Sequence, residues 1–173
     1  LNGGCSDATL DLVDDLIARG PQSVALHGAE MLVELARRDA NALVRLRKIA
    51  GSKPLNTRFA VLVTVDDRLP RHEVVAVLAA GLVDKSKKIR KFACHRAVDL
   101  DAKELLPALE SIGVEAAYAT SMVKDGYFVS ASRGTVTVKI PTGTTTIFVE
   151  PEELQGARLE ARVQAVRDEH CNG

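Results

Sequence analysis

The chain is expected to be mainly α-helical, built from consecutive helix pairs and followed by a small β-meander and a terminal helix. Three observations lead there. Apolar residues recur at helical spacing from Asp7 to about Ile112, in short segments broken by Gly, Pro or polar pairs. Equivalent residues repeat every 32 positions through that region. From Tyr127 to Val149 the pattern switches to apolar–polar alternation with turn residues between the runs.

The first segment, SDATLDLVDDLIARG, offers Ser6 or Asp7 as N-cap and places Leu10, Val13, Leu16 and Ile17 on one face. Gly20 stops it and Pro21 starts the next, QSVALHGAEMLVELARRD, whose stripe is Ala25, Ala29, Leu32, Val33 and Ala36. Residues 40–50 lead through GSKP into 54–67, and 70–83 lead through DKS into 87–100. Segment 54–67 is rich in Val and Thr and reads as a strand by propensity. Its place as second member of a recurring pair makes it a helix, ending at Asp66 and Asp67. A short helix over 114–124 completes the series.

Asp84, Arg90 and Ala93 step back 32 residues to Ser52, Arg58 and Val61, and again to Gly20, Leu26 and Ala29. Leu78 and Leu82 step back to Leu46 and Ala50. Helix pairs repeated at such a period bury their faces only by stacking on neighbours. The stretch VVAVLAAGLVDKSKKIRKFACHRAV, with Asp84, Ile89, Arg90 and Ala93 in the pattern D-x4-hydrophobic-R-x-x-A, resembles a HEAT repeat. The resemblance is strongest over 70–100 and degenerate over the rest of 7–112; the middle copy keeps Arg58 but has Ser52 for the Asp. It implies a right-handed α-α superhelix with the second helix of each pair on the concave side. It also implies that Asp84 and Arg90 are structural, as members of a polar ladder between repeats.

YFVSASRGTVTVKIPTGTTTIFV reads as a three-stranded meander with Val136, Val138 and Ile140 on one face of the middle strand. A helix from Glu150 to about Asp168 follows, with Leu154, Ala157, Ala161 and Ala165 as cover for the sheet. Leu159, Val163 and Val166 form a second apolar line that cannot face the same sheet fully, so one of the two lines is expected on the last repeat or on another chain. The expected division is therefore 1–124 for the helical array and 125–173 for the appendage. Thr144, Thr145 and Thr146 guard the last strand poorly against edge pairing, so a homodimer through the C-terminal segment competes with an intramolecular cap.

With 46% hydrophobic and 27% charged residues the composition suits a globular domain, and only six aromatics, none of them Trp, favour packing through small and aliphatic side chains. Cys5, Cys94 and Cys171 are too few and too scattered for a disulfide framework, which points to a reducing, cytoplasmic setting. No apolar run approaches the 18 residues of a membrane span. A net charge of zero hides a partition: −4 over 1–44, +8 over 45–100 and −4 over 101–173.

The positive excess centres on DKSKKIRKFACHRAV, residues 84–98. There Ile89, Phe92, Ala93, Ala97 and Leu100 form the buried stripe, and Lys87, Lys88, Lys91 and His95 lie off it. Those four, with Arg58, are the candidate binding residues. Cys94–His95 and His170–Cys171 are adjacent pairs that diverge by about 100° on a helix, so no metal site is expected. The acid pairs Asp14–Asp15 and Asp66–Asp67 diverge likewise, and no nucleophile elbow, P-loop or dinucleotide fingerprint is present. HEAT-like folds include DNA alkylation-repair glycosylases and bilin lyases. The glycosylases rely on aromatic surfaces, which a chain without Trp and with Tyr only outside the repeats does not supply. The expected role is non-catalytic binding of a protein partner on the concave side, with no cofactor; the alternative is nucleic acid on the basic middle.

Overall fold

The computed structural model describes residues 5–171 and is mainly helical, with one small three-stranded antiparallel sheet. The chain divides into two compact units, one ending at Ala108 and the other beginning at Leu109. Among the described residues no helix is long and apolar enough to cross a membrane.

The first unit holds α1 (Asp7–Arg19), α2 (Gln22–Ala36), α3 (Ala40–Ala50), α4 (Leu55–Thr64), α5 (Arg71–Leu82) and α6 (Lys87–Asp99). The boundaries follow local chemistry. Ser6 accepts the Thr9 N–H at 3.3 Å to cap α1, and Asp39 accepts the Asn41 and Ala42 N–H groups at 2.7 and 3.2 Å to cap α3. Prolines 21, 54 and 70 stand at the N-caps of α2, α4 and α5. Each helix packs on its pair partner: α1 on α2, α3 on α4, α5 on α6. Packing also runs α1–α3–α5 and α2–α4–α6, which makes two layers of helices. Leu10, Ile17, Leu32, Leu46, Leu78, Leu82 and Ile89 are fully buried between them.

Segment α4 is a helix despite its β-branched content. Ala60, Val61 and Leu62 are buried, and the Thr64 hydroxyl donates back to the Ala60 carbonyl at 3.0 Å. Tertiary burial overrides local propensity here. The helix stops at Thr64, short of the expected end. Asp66 therefore lies in the following loop and accepts the Arg68 backbone N–H at 3.0 Å and its Nε at 2.7 Å. This removes the unfavourable placement of acids at a helix C-terminus.

The second unit runs through the end of α7 (Leu106–Ile112), α8 (Ala117–Lys124), β1 (Tyr127–Ser130), β2 (Thr135–Ile140), β3 (Gly143–Phe148) and α9 (Gly156–Cys171). Thus α8, grouped with the helical array from sequence, shares this unit with the sheet. The strands lie in the order β1-β2-β3, with Val136 opposite Val129 and Ile147. Gly134, at φ 59°, makes the left-handed turn between β1 and β2.

The sheet's cover differs from expectation. Leu159, Val163 and Val166 of α9 close over Val136, Val138 and Val149; of the expected line only Leu154 packs against this cluster, while Ala157, Ala161 and Ala165 are exposed. The branched side chains remove more apolar surface from water than alanines do, so that line wins the contact. A single turn of 3-10 helix, Pro151–Glu153, also precedes α9 where one continuous helix was expected. Replacing Val163 by Ala is expected to cost about 1–2 kcal/mol of stability. Ala161→Ser should cost nothing measurable in the same urea titration, and equal effects would contradict this packing.

Candidate binding face and its arginine stitches

Seven arginines lie between residues 45 and 100, and every one is engaged inside the first unit. Arg58 on α4 reaches the turn before α6. Its Nε and Nη2 donate to the Asp84 carboxylate at 2.6 and 3.0 Å, and its Nη1 donates to the Ser52 and Lys53 carbonyls at 2.9 and 2.5 Å. Arg90 repeats half of that arrangement 32 residues on, donating from Nη1 to the Asp84 and Lys85 carbonyls at 2.9 and 3.2 Å. In both cases the arginine binds the carbonyls six and five residues before it. The sequence period is therefore also a hydrogen-bonding period.

Arg58 is 7% exposed with its guanidinium enclosed by Asp84 and the two carbonyls. Arg58, like Asp84 and Arg90, makes hydrogen bonds inside the first unit. Contrary to the expectation from sequence, its donors do not face an external ligand. Burial alone pushes the Asp84 carboxyl up. The Arg58 guanidinium, the Ser86 N–H and nearby positive charge outweigh it and hold the carboxyl below its ordinary 3.8.

Other stitches join neighbouring helix pairs or, at Arg71, the two ends of one pair. Arg45 on α3 donates to Asp11 and Asp14 on α1 at 2.7 and 2.6 Å. Arg47 pairs with Glu73 on α5, whose side chain is 2% exposed. The Arg47 hydrogen bonds, more than burial, set the Glu73 carboxyl, which lies below its ordinary 4.5. Arg96 donates to the Val65 carbonyl at 2.5 Å. Arg71 binds the Leu100 and Asp101 carbonyls and Glu104, each at 2.8 Å, and brings the Glu104 carboxyl down to about 2.

Lowered folded-state values mean that this stabilisation is complete above the unfolded carboxylate range and is lost as pH falls through the folded values. The unfolding temperature is therefore expected to drop between pH 4.5 and about 2, the window set by Glu73 and Glu104. Circular dichroism melts across that range check it; an unfolding temperature that stays flat to pH 2 would contradict the stitches.

The lysines behave otherwise. Lys87, Lys88 and Lys91 are exposed on α6, and none stands at ion-pair distance from a carboxylate among the described residues. Lys88 Nζ sits 4.4 Å above the centre of the Phe59 ring. Phe59 on α4 in turn meets Phe92 on α6 edge to face, with centroids 5.0 Å apart and planes at 61°. Both rings are half-buried, and His95 is exposed one turn further along α6.

Phe92 is therefore part of the surface as much as of the stripe. Phe59 is not among the residues that the sequence pattern picks out, although a signal is present. Two of the six aromatic residues stand 33 positions apart, one residue off the 32-residue period, on the second helices of successive pairs. Along the same layer, α2 exposes His27, Glu30 and Met31, and α4 exposes Leu55. The side chains thus pass from acidic on α2, through apolar on α4, to basic on α6.

The candidate catalytic and metal residues do not converge. Asp14 is held by Arg45, and Asp66 by Arg68. Cys94 is buried while the adjacent His95 faces solvent, and among the described residues no group of three or more His, Cys, Asp and Glu is placed to hold a metal ion. No protein-family model, no curated protein and no solved structure matches the chain.

Proposed function

We propose that the first unit is a short HEAT-like solenoid that binds a protein partner, without catalysis, on the side formed by α2, α4 and α6. The two layers of helices and the 32-residue recurrence of the Arg58 and Arg90 bonds support the repeat reading. The observation that carries the binding role is the contrast between the two kinds of cation. The arginines are consumed in stitching the unit together, whereas Lys87, Lys88 and Lys91 remain uncompensated beside two half-buried rings. Apolar anchors ringed by charge are what a protein interface uses.

A nucleic acid fits the same face less well. Seven of the thirteen basic side chains in 45–100 are the internally bonded arginines, and α2 brings Glu30 and Glu34 to the same layer. A phosphate backbone needs a run of cations.

Fluorescence polarisation separates the two readings. An acidic peptide of about twelve residues carrying one Phe is titrated beside single-stranded DNA and RNA of about twenty nucleotides at about 50 mM salt. Micromolar binding of the peptide, lost in the Lys87→Glu/Lys88→Glu/Lys91→Glu variant, is the expected result. Tighter binding of either oligonucleotide than of the peptide would overturn it.

A further inference from the structure

A second surface in the same chain carries the opposite chemistry. At the end of β3 Phe148 is 82% exposed, on the face of the sheet away from Val136 and Val138. It leads into Glu150, Pro151, Glu152 and Glu153, of which Glu150 and Glu152 are exposed. Glu153 accepts the Glu150 backbone N–H at 3.2 Å, which fixes the turn and leaves the acidic run displayed on a preformed segment. Neither Glu150 nor Glu152 is at ion-pair distance from a cation among the described residues.

We propose that the patch formed by Phe59, Lys88, Lys91 and Phe92 takes the Phe148–Glu153 segment of a second copy of this chain. The inference rests on the binding role proposed for the α2–α4–α6 side and names its occupant. Charge complementarity selects that occupant: Lys87, Lys88 and Lys91 meet the exposed Glu150 and Glu152, and an exposed Phe meets a pair of rings.

The spacings also agree. Lys87 and Lys91 are one helical turn apart, about 6 Å. Glu150 caps the 3-10 turn Pro151–Glu153 and Glu152 lies inside it, which puts the two about 5–6 Å apart, with Phe148 two residues before Glu150. Phe148 would add an edge-to-face contact to the Phe59–Phe92 pair and displace nothing but the Lys88 ammonium, which can turn onto a carboxylate. A net charge of zero leaves no long-range repulsion between copies. The two patches are different surfaces, so the contact either is exchanged reciprocally in a closed dimer or continues from copy to copy into a ring or a short chain.

Sedimentation velocity of the full chain from about 10 to 300 µM, at about 50 and 300 mM salt, tests it. The expected result is a sedimentation coefficient that rises with concentration at low salt, with association weakened at least about tenfold at the higher salt. Lys87→Glu/Lys91→Glu alone and Glu150→Lys/Glu152→Lys alone should each be monomeric, because each faces like charge with like. An equimolar mixture of the two variants should associate again, since each now offers what the other lacks. A chain that stays monomeric throughout overturns the proposal. So does association that ignores both charge reversals but yields to Thr145→Pro, which would place the contact on the β3 edge. If the monomeric chain still captures the acidic peptide by polarisation, only the second copy is removed and the binding face stands; if the peptide also fails, both readings fall.

Discussion

Arg58→Ala is expected to lower the stability of the helical unit by about 3 kcal/mol or more. The arginine is buried and closes a bidentate pair with Asp84, itself only 10% exposed at the side chain. Truncation leaves that carboxylate in a site where burial disfavours its charge, and it also strips the Ser52 and Lys53 carbonyls of their donor. Arg58→Lys should recover little, because an ammonium cannot supply two parallel donors to the carboxylate and a third to the carbonyls. Arg90→Ala removes the donor that serves the Asp84 and Lys85 carbonyls, and the loss of those two bonds should cost about 1–2 kcal/mol. Urea unfolding of the three variants checks these values. A loss at Arg58 below about 1 kcal/mol would remove the buried pair from the account of the fold.

Gly81→Val is expected to cost about 2–3 kcal/mol by overpacking the α5–α6 crossing. A Cβ on Gly81 meets the Ala93 Cβ at 2.9 Å and Leu62 Cδ1 at 3.2 Å, and valine adds two methyls beyond it. Ala93 cannot yield, because its Cβ is fixed to the α6 backbone and the residue is fully buried. The better helix propensity of any side chain over glycine offsets under about 1 kcal/mol of this. The double variant Gly81→Val/Ala93→Gly should recover part of the loss, with a coupling of about 1 kcal/mol. Strict additivity would show that the two helices do not meet at this point.

The helix pairs are legible in the sequence because apolar period, proline starts and the 32-residue recurrence agree. The stripe Ala25, Ala29, Leu32, Val33, Ala36 is buried as expected, and α4 follows from its place in the series against its own propensity. Where two readings share one period, sequence alone does not choose between them. On α9 two apolar lines are available, and only the bulk of Leu159, Val163 and Val166 against the sheet decides. Arg58 and Lys88 are both cations on second helices of their pairs, and charge counting treats them alike. What separates them is a carboxylate 26 residues downstream of Arg58 and an aromatic ring under Lys88. Neither is local in sequence, so neither shows before the chain is folded.

The Arg58–Asp84 link has a consequence for how the chain is made. Arg58 belongs to the second helix pair but its carboxylate arrives with the third, 26 residues later. At a translation rate of about 5–20 residues per second, the guanidinium waits on the order of one to five seconds for its partner to be synthesised. During that interval α3 and α4 are complete in sequence yet hold a cation in a site that water must still reach. A chain stopped between residues 58 and 84 therefore lacks the carboxylate that compensates the Arg58 guanidinium, and the second helix pair cannot close over it.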